Sequence, residues 1–308
     1  MPNSRNAPPT DAVPASLGHR LQDRAIGVLI ALLLRLPYRR RVALMGWIVS
    51  RLVAPLAGWR KRVRANLAHV FPDLPRAEVE RIARRVPENV GRTVMELFSG
   101  PDLIAQTRHV PVEGPGLSAL QAAHDAGRPV ILATAHLGNY DAARATLLNR
   151  GYRLGALYMP MANPAFNRRY VAAMESLGGE MFPRGRAGLS GMIRHLRQGG
   201  VLALVVDQHM HHGEPLDFMG QPAMTAISAA ELALKFDAPL IPGYALRTDD
   251  PTGFRVIVEA PVPPGDPVSM TQALNDSAAA QVRANMDQWL WIHRRWKGAP
   301  DASAATGG

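Results

Sequence analysis

A chain of 308 residues with a 47% hydrophobic fraction can bury a full core, as one larger α/β domain or two small ones. The absence of cysteine excludes disulfides, thiolate metal sites and a cysteine acyl-enzyme, and fits a reducing, cytosol-facing location. The formal net charge of +10 is concentrated at the front: residues 1–70 carry 12 Lys/Arg against 2 Asp/Glu, so the remainder is balanced.

In chain order, residues 1–18 and 299–308 lack an apolar period, are rich in Pro, Ala, Ser and Gly, and read as disordered tails. Residues 19–110 read as a basic, helical N-terminal segment packed on the core. Its apolar runs, AIGVLIALLL and VALMGWIVSRLVAPLAGW, are bordered by arginines at Arg24, Arg35, Arg39 to Arg41 and Arg60 to Arg64. Apolar runs flanked by cations favour an anionic membrane surface over nucleic acid, with helices lying in or dipping into one leaflet. The ten-residue run falls short of the roughly 20 residues needed to span a bilayer. No small-residue cleavage site follows it, so the segment reads as an uncleaved anchor.

From about residue 111 to 298 the pattern is that of an α/β core. The runs 129–135, 153–158, 201–206, 239–246 and 254–260 read as strands. DAARATLLNR, PAFNRRYVAAMESLG, AGLSGMIRHLRQ and TAISAAELALKF between them read as helices. Such alternation implies a mostly parallel sheet flanked by helices, with ligands gathering at the carboxyl ends of the strands. No GxGxxG, phosphate-binding P-loop or GxSxG elbow is present, which leaves NAD enzymes, P-loop NTPases and serine hydrolases without support.

The stretch ATAHLGNYDA ends a strand in His136 and places Asp141 at the start of the next helix. Five residues along one helix turn through about 500°, so only a loop lets the two side chains meet. Asp141 would then fix the imidazole tautomer while the other ring nitrogen takes a hydroxyl proton. Gly138 permits a tight turn, and free N–H groups around Asn139 offer donors to a carbonyl or phosphate. Arg184 and Arg186 suit a phosphate. Asp207 also follows a strand, and its run Asp207-Gln208-His209-Met210-His211-His212-Gly213-Glu214 has a composition that zinc or iron accepts. In an extended loop His209 and His211 point one way and His212 the other, so we read a headgroup-facing loop and expect no metal. His293, Arg294 and Arg295 are expected to close a C-terminal helix carrying Trp289, Trp291 and Trp296, a face suited to a membrane or an acidic carrier protein.

The segment HLGNYD resembles the HX4D/E motif of membrane acyltransferases. From about residue 20 to 297 the chain is similar to the late acyltransferases of lipid A biosynthesis, the lauroyl/myristoyl transferase family. Asn66 with Phe71-Pro72, Gly91-Arg92 with Glu96, Tyr158-Met159-Pro160 with Asn163-Pro164, Arg184, Asp207-Gln208 and the closing WIHRRWK carry this resemblance. It implies transfer of a fatty acyl chain from acyl carrier protein or acyl-CoA to a hydroxyl of a lipid A precursor, on the cytoplasmic face of the inner membrane and without a cofactor. His136 would be the general base and Asp141 its partner, with Gly138, Asn139, Asn163, Arg184, Asp207, Arg294 and Arg295 around the substrates. Met159 stands where the family's Tyr-x-Pro carries Arg, and Asp141 where Glu is common. Three alternatives stay open: a lysophospholipid acceptor, a metal-dependent hydrolase built on the histidine loop, and a membrane-peripheral binding protein that keeps only the fold.

Overall fold

The computed structural model describes residues 15–297, so of the tails expected at 1–18 and 299–308, residues 1–14 and 299–308 lie outside the described residues. Residues 15–18 of that expected tail are described and lead into a helix. Ser16 accepts a hydrogen bond from the His19 N–H and caps helix α1 (Leu17–Leu34).

After α1 come α2 (Tyr38–Ile48), a π turn (Val49–Val53), α3 (Ala54–Leu56), α4 (Trp59–Val70), α5 (Arg76–Phe98) and α6 (Gly100–Thr107). Helix α2 lies close on α5 because Gly91 has no side chain: a Cβ there would come within 2.7 Å of the Met45 carbonyl oxygen. Among the described residues no single helix is long and apolar enough to cross a membrane, although Tyr38–Leu56 and Trp59–Val70, bent by 83°, qualify together. Large exposed apolar side chains gather here, including Leu17, Leu21, Leu32, Trp47, Leu52 and Leu56.

The core follows as β1 (Val112–Glu113), α7 (Leu117–Asp125), β2 (Val130–Thr134), α8 (Tyr140–Asn149), β3 (Leu154–Tyr158), α9 (Pro164–Ser176), β4 (Glu180–Pro183), α10 (Arg186–Arg197) and β5 (Val201–Val205). It continues with β6 (Glu214–Phe218), β7 (Gln221–Thr225), α11 (Ser228–Lys235), β8 (Leu240–Arg247), β9 (Phe254–Val258) and α12 (Pro267–Ala284). Seven strands form one sheet in the order β1-β9-β8-β2-β5-β3-β4. All neighbours pair in parallel except β8 with β9. Every residue of β2 is buried, as a central strand covered on both faces requires, which explains its unbroken apolar run VILAT.

The five predicted strands and the four helices between them are present, which confirms the α/β class. The sheet also includes β1 and β4, too short to stand out, and beside it lies the hairpin β6–β7. Its strands contain Pro215 and Pro222, and it turns through Met219 and Gly220, both at positive φ. The expected C-terminal helix through the tryptophans is not formed. Helix α12 ends at Ala284, and after a short 3-10 turn (Met286–Gln288) the chain packs Trp289 and Trp291 into the core, 1% and 0% exposed. Their rings meet Trp296, Phe218 and Phe71. Burial against aromatic partners therefore outweighs an interfacial position for these two residues.

Candidate active site

Strands β2 and β5 run parallel in the register Thr134↔Val205. Two residues beyond each, the chain delivers His136 and Asp207 to the same point at the carboxyl edge of the sheet. Asp207 Oδ1 lies 2.8 Å from His136 Nδ1, and Oδ2 accepts the His136 backbone N–H at 2.9 Å and the Trp289 indole N–H at 2.7 Å. Burial alone would raise this carboxyl, but the charge and hydrogen bond of His136, helped by Trp289, prevail and hold it at about 2. An ionised Asp207 accepts from Nδ1–H, which leaves Nε2 as the free lone pair on the ring.

Asp141 does not make the hydrogen bond expected of it. Both imidazole nitrogens meet other groups, Nδ1 with Asp207 and Nε2 with the Gln208 carboxamide at 3.3 Å. The Asp141 carboxylate instead lies 3.3 Å from the Arg144 guanidinium one helical turn on, and both side chains are buried. Burial raises the Asp141 carboxyl against the pull of Arg144. The physical reason lies in the turn. Gly138 at φ +63° and the Asn139 cap start α8 abruptly, so Asp141 is already in the first helical turn.

Gly138 is held close against β8, where a Cβ would lie 1.9 Å from the Ala245 carbonyl oxygen. Asn139 is wholly buried and saturated: its Oδ1 accepts the N–H groups of Asp141 and Ala142, and its Nδ2 donates to Glu96 Oε2 at 2.7 Å. Glu96 in turn receives both guanidinium nitrogens of Arg247 at 2.7 and 2.6 Å. Gly138 and Asn139 thus shape the loop, and the donors imagined at the helix start are spent on Asn139.

Asn163 is likewise occupied. It caps α9 through its oxygen and donates from Nδ2 to the His19 carbonyl and Gln22. Together with the Asp23–Arg169 pair at 2.8 Å it ties α1 to the core. Arg295, expected to face a substrate, is fully buried and donates to the Met224 carbonyl and the Thr225 hydroxyl while lying over the Phe218 ring. That burial lowers its pKa to about 10. Arg294 is exposed, away from these contacts.

His209 packs edge-on against His211, and its backbone N–H donates to His293 Nε2 at 3.0 Å. Among the described residues no group of three or more His, Cys, Asp or Glu side chains is placed to hold a metal ion.

His136 lines a cavity of about 650 Å³, within the usual range for small-ligand pockets, together with Gln208, Asp141, Arg144 and Tyr170. Its wall is mostly hydrocarbon and thioether, with Leu132, Ala156, Leu157, Met161, Met174, Met181, Ala203 and Leu204. The exposed Arg184 and Met159 also line it. Gln208 and the Glu96–Arg247 pair are site-shaping groups that sequence reasoning gave no role of their own, and Trp289, expected on a membrane- or carrier-facing helix, donates to Asp207 instead. Gln208 and Glu96 were legible only as parts of the resemblance.

A histidine–carboxylate couple beside a mostly apolar cavity is an arrangement that can accept a proton from a hydroxyl. The chain matches the bacterial lipid A biosynthesis acyltransferase family over residues 22–298 and belongs to it; it is an acyltransferase. It is 28% identical over 245 residues, 78% of each chain, to a phosphatidylinositol mannoside acyltransferase of Mycobacterium tuberculosis. It is 24% identical over 269 residues, 83% of each chain, to a lipid A biosynthesis acyltransferase of Haemophilus influenzae. To the lipid A biosynthesis myristoyltransferase of Escherichia coli it is 22% identical over 242 residues, 76% of this chain and 73% of the relative.

Proposed function

We propose that this protein transfers a fatty acyl chain from an acyl carrier protein or acyl-CoA thioester to a hydroxyl of a lipid A precursor, with His136 as general base and Asp207 as its orienting carboxylate. The observation that carries this reading is the His136–Asp207 couple, whose imidazole lines the mostly apolar 650 Å³ cavity. The hydrocarbon chain lies in the cavity and leaves the thioester carbonyl beside His136.

The acceptor hydroxyl oxygen attacks that carbonyl carbon as its proton passes to Nε2, and the π pair moves onto the carbonyl oxygen. Collapse re-forms the C=O bond and breaks the C–S bond, and the imidazolium proton goes to the leaving thiolate. Asp207 stabilises the imidazolium without taking a proton, as in the histidine–carboxylate pairs of hydrolases. General-base assistance of this kind typically contributes about 10² to 10⁴ in rate.

The exposed apolar side chains of α1 to α3, interleaved with arginines, support docking on an anionic membrane face, where each arginine adds about 1 kcal/mol of attraction. Exposed Arg184 and Arg186, at and beside the cavity mouth, suit an acidic carrier protein. A second acceptor, a phosphatidylinositol mannoside, is favoured by the higher identity to the mycobacterial relative. It keeps the chemistry and changes only the lipid that brings the hydroxyl.

The test is acyl transfer by purified protein from a panel of acyl carrier protein and CoA thioesters. The acceptors are a lipid A precursor, a phosphatidylinositol mannoside and a lysophospholipid, with His136→Ala as control. Transfer to a glycolipid that disappears in the control supports the reading. Transfer to the lysophospholipid alone replaces the acceptor, and folded protein inert toward all three overturns the function.

A further inference from the structure

Gln208 is the neighbour of the atom that has to accept the proton. Its carboxamide nitrogen lies 3.3 Å from His136 Nε2, and it lines the same cavity. With Asp207 holding a proton on Nδ1, the neutral ring presents a lone pair at Nε2, so Gln208 has to offer its N–H there. The base is therefore capped while the site is empty. An entering hydroxyl donates its own hydrogen bond to Nε2 and has to displace that cap.

The displaced N–H needs a new acceptor, because a donor left unpaired in a largely apolar cavity is costly. One forms at the same place and moment. As the hydroxyl oxygen adds to the thioester carbon, the carbonyl oxygen becomes an oxyanion on the cavity wall beside Nε2. Thr134, whose buried hydroxyl has no partner among the described residues, lines the same cavity.

The main chain of Gln208 is fixed while its side chain is half-buried, the combination a short carboxamide swing requires. Arg295 Nη1 donates to the Gln208 carbonyl at 3.4 Å, and the side chain of Asp207 before it holds three hydrogen bonds. The Met224 carbonyl, to which Arg295 donates at 2.7 Å, also accepts the Met210 N–H.

Resting on the acyl-transfer reading above, we infer that Gln208 is a catalytic hydrogen-bond donor that caps His136 Nε2 in the empty site and swings to the oxyanion of the tetrahedral intermediate when the acceptor hydroxyl takes its place. It neither gains nor loses a proton in the step. Its N–H contributes where the negative charge develops, and so acts on kcat rather than on ground-state binding.

The experiment compares Gln208→Met, which keeps the length and removes the donor, and Gln208→Glu with the full-length wild type. Readouts are kcat, KM for the acyl thioester and the pH–rate profile, with thermal melts to establish folding. Gln208→Met is expected to lower kcat by about 10²- to 10³-fold with KM changed less than about threefold. Gln208→Glu is expected to lose kcat similarly and to move the acid limb of the profile to higher pH, because a carboxylate beside Nε2 favours the imidazolium. A folded Gln208→Met with wild-type kcat, or a loss confined to KM, overturns the inference.

Nitrogen NMR of the His136 ring reads the contact independently of turnover. An inert wild type whose Nε2 resonance still shifts in Gln208→Met sinks the acyl-transfer reading and leaves the cap standing. An Nε2 resonance unchanged in Gln208→Met sinks the cap.

Discussion

Replacing Asp207 by Asn separates the two acids that compete for the role of histidine partner. In the wild type, Oδ2 accepts two donors, the His136 backbone N–H at 2.9 Å and the Trp289 indole N–H at 2.7 Å, and Oδ1 meets Nδ1 at 2.8 Å. Asn keeps the shape. With two donors fixed on one side, the carboxamide has to turn its oxygen to them and its NH2 to the imidazole. Nδ1 then becomes an acceptor, the proton moves to Nε2, and the ring presents the wrong tautomer to the substrate. In the Ser-His-Asp hydrolases the same substitution lowers kcat about 10⁴-fold, so a loss on the order of 10³ to 10⁴, about 4–5 kcal/mol, is expected here. Thermal stability should fall little, since two of the three hydrogen bonds survive. The assay is kcat for acyl transfer beside an Asp141→Asn control. A folded Asp207→Asn with wild-type kcat, next to an Asp141→Asn that has lost it, would refute the reasoning and restore Asp141 as the partner.

Glu96→Gln leaves the Arg247 guanidinium buried without its carboxylate and should cost roughly 3–5 kcal/mol in denaturant unfolding, with a further fall in kcat through the Asn139 cap; unchanged stability would contradict a buried ion pair. Ala156→Phe puts a ring into the hydrocarbon cavity and should shift the preferred donor to shorter acyl chains with little change in folding, as competition between thioesters of different length will read. Burial, opposed by Asp207, lowers His293 to about 4 from an unfolded value near 6.5, so the unfolded chain binds the extra proton between those pH values. Stability is therefore complete above about pH 6.5 and declines as pH falls toward 4, where protonation of Nε2 also breaks the bond from the His209 N–H. Glutamine at 293 should remove that slope from a pH series of melts, and a slope unchanged in the variant would show that another group titrates.

The sheet was legible in the chain because buried parallel strands have to be apolar throughout. VILAT, LGALY and VLALV announce themselves without knowledge of their neighbours. The hairpin β6–β7 was hidden because a proline in each strand, with Glu214 and Asp217 in β6, masks its alternation, and only the positive φ values at Met219 and Gly220 reveal the turn. The tryptophans misled for a different reason. Trp, Arg and Lys in close succession have the composition of an interfacial helix, yet hydrogen bonds from Trp289 to Asp207 and from Arg295 to Thr225 draw them inward.

The same distinction between local and long-range information explains why Asp141 stood out in the sequence and Asp207 meets the ring. A motif of short spacing is read along the chain, and there His136 and Asp141 are five residues apart. The sheet works across the chain. Once β2 and β5 pair with a register offset of 71 residues, His136 and Asp207 have to arrive opposite one another, since each lies two positions past its strand. Both positions were visible as strand ends. What could not be seen was that β2 and β5 are neighbours, a topological choice made by packing of the whole sheet. The acid near in sequence then falls into the first turn of α8, where Arg144 lies one helical turn away and satisfies it. In this fold the motif histidine is placed by its loop, but its tautomer is set by the strand beside it.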